Sequence, residues 1–247
     1  MHRTHLPLLT WAHAIYLIVS SSKGISAMKL ADMLGVSYSA AWFVGHRVRA
    51  MMAEDPGLLS GIVEIDETYA GAPPRKRAKS NHDDLDPPSN PRGRGTARPL
   101  LLVAAERNGH LATKVIETHS RAAVSAALND VLDINAVVMT DGLPAYHHLG
   151  ADRTHLIVTH SRHEFARTDA KTGYRVHINR IESFNSLLVR ATVGVFHSIS
   201  RKHLDRYALE MAFRWNHKVE TCLVRMQRLL RNGVGRTLPY HVLVGGM

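Results

Sequence analysis

The chain has 247 residues, enough for one sizeable domain plus a small module, and 45% of them are hydrophobic, which excludes a disordered polymer. Lys+Arg number 31 against 21 Asp+Glu, and the formal charge of +10 favours a polyanionic partner. The single cysteine, Cys222, excludes an internal disulfide and a four-cysteine zinc site.

Leu8, Trp11, Ala12, Ile15, Leu17 and Ile18 give a broad apolar face and predict a helix over residues 8–21, ended by Gly24. Its longest apolar run, Ala14 to Val19, is far short of the ~20 residues that cross a bilayer, and the start lacks a signal-peptide pattern. The expectation is a cytoplasmic protein without a membrane partner. Ser26 is placed to cap a short helix to Leu34, Gly35 to turn the chain, and Ser37 to cap a third helix from Tyr38 to Met52. Helix, glycine turn, helix is the helix-turn-helix pattern, and Arg47 and Arg49 on its second helix are expected to meet DNA phosphates.

Residues 61–70 alternate as a strand. Residues 71–99 then hold Pro73, Pro74, Pro87, Pro88, Pro91 and Pro99, six of the chain's ten prolines, with Arg75, Lys76, Arg77, Arg92 and Arg94 among the basic residues. This composition predicts a flexible basic loop, read as a DNA-backbone contact. Leu100–Glu106 and Leu111–Glu117 are strands joined through Asn108-Gly109, a hairpin signal. A Ser120-capped helix, a buried strand Ala136–Thr140 and a short helix around Ala145 follow. Beyond them come a strand His155–Thr159, a polar stretch 160–177, a helix Ile178–Ala191 and a long Ser200-capped helix. Three strands in a meander followed by alternating helices and strands predict an α/β fold with a mixed sheet. An RNase H-like mixed sheet flanked by helices, preceded by a small helix-turn-helix module, has this order.

Asp66 lies inside a strand, where Asp is disfavoured. It shares a face with Glu64 and Thr68, opposite Val63 and Ile65. Asp141 ends an apolar strand, and Glu182 shares a helical face with Asn179 and Ser186, opposite Ile181, Phe184, Leu187 and Leu188. Each alone has a commonplace reading: Asp141-Gly142 as a turn, Glu182 as a solvated helix residue. Together, in strand, strand, helix order, they suit a metal site. Phosphodiester chemistry takes two Mg²⁺ ions ~3.5–4 Å apart, with Mn²⁺ as a substitute, and such ions prefer carboxylate oxygen. His155, His160, His163 and His177 surround the second half of this group, but no His-x-x-x-His on a clear helix points to zinc.

The runs Val63-Glu64-Ile65-Asp66-Glu67-Thr68-Tyr69, Thr140-Asp141-Gly142 with Ala145-Tyr146, and His177-Ile178-Asn179-Arg180-Ile181-Glu182-Ser183-Phe184 resemble the signatures of insertion sequence family 1595 (ISXO2-like) transposases. So do Arg92-Gly93-Arg94-Gly95-Thr96 and Phe213-Arg214-Trp215-Asn216, and the similarity runs from about residue 8 to about residue 220. The resemblance implies an RNase H-like DDE core that moves its own element by metal-dependent DNA strand cleavage and transfer. Asp66 and Asp141 match the first two acids and Glu182 the third, with Asn179 as the alternative because some members use asparagine there. The resemblance also gives His177 a part in holding a scissile phosphate or a catalytic carboxylate. Where the family has an aromatic after Phe184 this chain has Asn185, and where it has a lysine this chain has Val189, with Arg190 adjoining as a DNA contact. Family members often carry an N-terminal cysteine zinc ribbon, and this chain starts just inside it.

The expected organisation is a helical DNA-binding region at 1–57, a catalytic domain at 58–221 and a C-terminal helix and tail at 222–247. The expected partners are the DNA of element ends and target, handled by a homodimer or higher oligomer. The competing reading is an inactive or domesticated DNA-binding relative, favoured by Val189 and the missing ribbon; a nuclease that cuts without joining is a third.

Overall fold

The computed structural model describes residues 4–71 and 98–245. The expected loop basics Arg75, Lys76, Arg77, Arg92 and Arg94 lie outside the described residues.

Three helices open the chain: α1 (Leu8–Ser20), α2 (Ala27–Leu34) and α3 (Tyr38–Met52). Their ends are set locally. Ser26 accepts the Lys29 N–H and Ser37 accepts the Ala40 N–H, each filling one of the donors a helix start leaves open. Gly35 takes the left-handed conformation between them (φ 63°), where a side chain would be strained. The two helices form the expected helix-turn-helix pair, but α3 is not a surface helix. From Ala41 to Arg49 it is buried or half-buried throughout, packed by α1, α2 and the later α6 (Arg201–Asn216) and α7 (Cys222–Asn232). One apolar cluster joins Trp11, Ile15, Ile18, Leu30, Val44, Val48 and Met52 to Phe213 of α6 and Leu229 of α7.

The remainder is built on one five-stranded sheet. Its strands are β1 (Ile62–Tyr69), β2 (Leu100–Glu106), β3 (Leu111–Ile116), β4 (Val137–Asp141) and β5 (His155–Val158), in the order β3-β2-β1-β4-β5. β1, β2 and β3 run antiparallel, while β4 and β5 run parallel to β1. This is the RNase H-like mixed sheet the chain order predicts. β2, Leu-Leu-Leu-Val-Ala-Ala-Glu, does not alternate because both its faces are covered. One face packs Val63, Ile65, Leu102 and Ala104 against α4 (Arg121–Asn129) and a short 3-10 helix, Pro144–Ala151, that carries Tyr146. The other packs Leu101, Val103 and Ala105 against Ile181, Phe184 and Leu188 of α5 (Asn179–Ala191) and against α6.

Two features are not visible in the sequence pattern. The polar stretch contains a small hairpin of β6 (Arg167–Thr168) and β7 (Arg175–Val176), and after it α5 runs on into a π-helical turn, Thr192–Phe196. A short α8 (Tyr240–Val244) ends the described chain. No helix among the described residues is long and apolar enough to cross a membrane.

Candidate active site

Register decides which way the β1 acids point. Glu64 pairs with Ala105, Asp66 with Val103 and Thr68 with Leu101, and directly opposed residues share a face. Val103 and Ala105 belong to the cluster under α5 and α6, so Glu64, Asp66 and Thr68 face those helices. β1 and β4 are paired as far as Glu64–Met139, and Asp66 and Asp141 each stand two residues further on, past the end of the parallel pairing. Leu143 N–H donates to Asp141 Oδ1 (3.0 Å), which fixes the turn after β4.

Glu64 positions the third element. It is fully buried, it accepts Arg107 Nε (3.1 Å), and it accepts the Arg180 backbone N–H at the start of α5 (2.8 Å). Residue 178, before α5, has no capping side chain, so a carboxylate from β1 does that work and sits at the positive end of the helix. Arg180 adds a bond from Nη2 to the Gly109 carbonyl (2.8 Å) and lies over the Trp215 ring. With its first turn fixed to β1, α5 brings Asn185 against Asp66, Nδ2 donating to Oδ2 at 3.2 Å. The Asn185 Oδ1 is buried and has no hydrogen-bond partner.

Asp66 feels both other acids. Burial, then the negative charges of Asp141 and Glu182, raise its carboxyl to about 7, against one opposing backbone hydrogen bond. Among the described residues, no cation is one of these influences. Such a cluster, made of oxygen donors with an excess of like charge, fits a divalent cation. The side chains are not closed around one: no group of three His, Cys, Asp or Glu among the described residues stands ready to hold an ion. Glu182, half exposed, leans toward His160, with Nε2 to Oε1 at 3.8 Å. Asn179 is the exposed first residue of α5, one turn before Glu182.

A second carboxylate behaves similarly on the reverse face. Burial raises Glu67 to about 7, and the charges of Asp66 and Asp141 add to this while Tyr146 opposes it. His119 Nδ1 is 4.0 Å from Glu67, and His119 Nε2 is 2.8 Å from Tyr69 Oη. Asp66 and Glu67, consecutive in β1, therefore back the same acidic region from both sides of the sheet.

The histidines do not gather. His155 meets Thr140 Oγ1 (2.8 Å) and is lowered to about 4 by burial and by His147 and His148. His177 stands beside Glu64, Nδ1 to Oε1 at 3.3 Å, and not against the three acids; partial burial and Arg107 lower it, Glu64 opposing.

Arg47 and Arg49, expected to meet phosphates, are instead 8% and 5% exposed. Arg49 Nε pairs with Glu210 Oε2 at 2.6 Å and its guanidinium lies over the Tyr207 ring, while Arg47 lies over Trp11 and Phe43. The reason is the central place of α3: helices surround it, so its arginines enter packing. Arg190 is exposed at the end of α5, bonded to Ser186 Oγ (2.7 Å), and Val189 beside it is half exposed. Sequence reasoning missed Glu64 and Asn185 as site-building residues. The β1 alternation put Glu64 on the right face, but nothing local announced its partners.

The sheet order is that of an RNase H-like fold. The sequence model of the ISXO2-like transposase domain matches residues 58–216, and the chain belongs to that family of transposases. Among solved structures it is similar to the Mos1 transposase paired-end complex with left transposon end, at a TM-score of 0.31 and 13% identity over 92% of this chain and 81% of that one. It is also similar to a pre-cleavage Mos1 transpososome (0.30, 14%, 97% and 82%) and to the mariner Mos1 paired end complex with Mg (0.30, 15%, 97% and 83%). No curated protein matches the chain.

Proposed function

We propose that this transposase cuts and rejoins DNA strands through Asp66, Asp141 and Glu182, holding Mg²⁺ or, in its place, Mn²⁺. The observation that supports the reading is that Asp66 on β1 is raised by burial and by the charges of Asp141, at the end of β4, and Glu182, on α5. Bound there, divalent ions supply activation of a water or 3′-hydroxyl and stabilise the leaving oxygen. Asp66 and Asp141 offer oxygen ligands from neighbouring strands, Asn185 fixes one Asp66 oxygen, and Glu182 turns from His160 to complete the set. His177 steadies Glu64, and through it the start of α5, rather than holding a scissile phosphate.

Residues 58–221 carry the chemistry in this reading. The 1–57 unit orients DNA rather than reading it, because α3 is buried, and residues 222–247 serve with it because α7 packs on α1 and α3. Arg190 and the basic loop at 71–99, with Arg75, Lys76, Arg77, Arg92 and Arg94, meet phosphates. Joining two element ends to one target calls for a dimer or higher oligomer on DNA. The exposed Val189, where relatives have a lysine, favours a second reading in which the chain binds DNA without cutting.

The test is cutting of a pre-formed element end in Mg²⁺ and in Mn²⁺. Glu182→Gln should lower the rate by about a thousandfold, the order found when a charge-stabilising group is lost, with DNA affinity intact. Asn179→Ala should be far milder, because an amide supplies only a dipole where a carboxylate supplies a full charge. A dead Asn179→Ala beside an active Glu182→Gln would reassign the third ligand, and a wild-type chain that never cuts would favour the second reading.

A further inference from the structure

The excursion between β5 and α5, residues 159–178, carries features that strand chemistry at the three acids does not use. It is a built segment. Glu164 Oε2 accepts the Thr159 N–H (3.2 Å). Asp169 accepts from Lys171 N, Thr172 N and Thr172 Oγ1 and pairs with Arg167 Nη1 (2.9 Å), which closes the β6–β7 hairpin. His163 turns the chain in a left-handed conformation (φ 58°) that residues other than glycine seldom adopt.

On this scaffold Phe165 stands 60% exposed. Its ring centroid is 5.6 Å from that of His160, the planes tilted by 38°, and His160 is the residue 3.8 Å from Glu182. A large aromatic is therefore held in the open one side chain away from the proposed chemistry. The segment that carries it is cationic. Both acids of the segment, Glu164 and Asp169, are taken up by Arg167, while Arg162, Lys171 and Arg175 are exposed, as is His163.

An outward aromatic face on a segment with exposed cations matches a nucleobase followed by its phosphates. A paired base inside a duplex offers no π-face, so the match is to a base that has left the stack. Phe165 has no polar group with which to read a groove edge, and stacking tolerates any base. We propose that the 159–178 excursion is a stacking platform for an unpaired DNA base next to the cleavage point, with Phe165 backed by His160 taking the base and Arg162, Lys171 and Arg175 taking adjacent phosphates. This rests on DNA being the substrate of the neighbouring acids.

The experiment uses short oligonucleotides containing 2-aminopurine, either single-stranded or at a mismatched duplex end, in EDTA so that no ion contributes. Binding of wild-type protein should quench the probe where it is unpaired and leave it unchanged where it is fully paired. Phe165→Ala should abolish the quench and weaken single-strand binding about tenfold, the order of one lost base–aromatic stack. Phe165→Tyr should retain both. Neutralising Arg162 and Lys171 should flatten the salt dependence by roughly 0.7 per lost contact on a single strand. An unchanged quench or unchanged single-strand affinity in Phe165→Ala overturns the platform. So does intact DNA binding with an altered oligomeric state, which would assign Phe165 to a second copy of the chain. A chain that stacks the base but never cuts would defeat the catalytic reading and leave the platform standing; one that cuts and never stacks would do the reverse.

Discussion

Two acidic groups drawn out of water in this molecule, one fully and one in part, are treated in opposite ways. Among the helices, Glu210 is fully buried between Arg49 and Arg214, at 2.6 Å from each, and Arg214 also donates to the carbonyls of Ile18 and Ser21. Burial alone would raise the Glu210 carboxyl, but the two arginines hold it below its usual range. On the sheet, Asp66 is half-buried and has the reverse company: an amide at 3.2 Å, and the charges of Asp141 and Glu182. The first arrangement is complete within the chain and ties α1, α3 and α6 together. The second is incomplete among the described residues, and what it lacks there is positive charge. Burial of a charge beside its counter-charge needs no further explanation; burial among like charges carries a cost that the fold leaves standing.

The contrast is broken most severely at Glu210. Glu210→Ala would leave two arginines buried without a counter-charge and should cost about 3–5 kcal/mol of stability. Urea denaturation reads this directly. A loss below about 1 kcal/mol, the level of an exposed pair, would mean that the network is not the tie described here.

Asp66 should show the opposite sign. Its folded carboxyl is raised from 3.8 to about 7, so between those values the folded state holds a proton that the unfolded state has lost. Stability of the metal-free protein should therefore fall as pH rises through that window, on the order of 2–4 kcal/mol in all, with Glu67 contributing in the same direction. Asp66→Asn should flatten the decline and stabilise the protein near neutral pH. A metal-free stability that rises from pH 4 to pH 7 as steeply in Asp66→Asn as in wild type would contradict the like-charge account.

The smallest effect sharpens the comparison. Asn185 is the one neutral partner Asp66 has on α5, and its loss removes a single hydrogen bond worth about 1 kcal/mol. Asn185→Ala should slow strand cutting about fivefold with DNA affinity unchanged. A loss as deep as that of Glu182→Gln would make Asn185 a ligand in its own right.

Much of the architecture was legible because it is local. Ser26, Gly35, Ser37, Ser120 and Asn108-Gly109 each set an end or a turn by chemistry within a few residues. The alternation of β1 put Glu64, Asp66 and Thr68 on one face, and that face is the one under α5. What escaped is non-local. Arg47 and Arg49 look like surface cations on a helix until Glu210, 161 residues away, is brought beside Arg49. Asn185 looks like a mere departure from a family pattern until the docking of α5 sets it on Asp66. That docking depends on Glu64 reaching the Arg180 N–H across 116 residues. The β6–β7 hairpin is only two residues wide on each side, too short for a periodic signal.

If the acids on β1, β4 and α5 hold a divalent ion as proposed, calorimetric titration with Mn²⁺ near neutral pH will report it. Wild-type protein should bind Mn²⁺ and release protons as it does, since Asp66 is partly protonated there. Asp66→Asn, Asp141→Asn and Glu182→Gln should each weaken binding by at least about tenfold, within the range seen when groups that support a metal site are removed. Binding that survives all three substitutions unchanged would place the ion elsewhere and contradict the account.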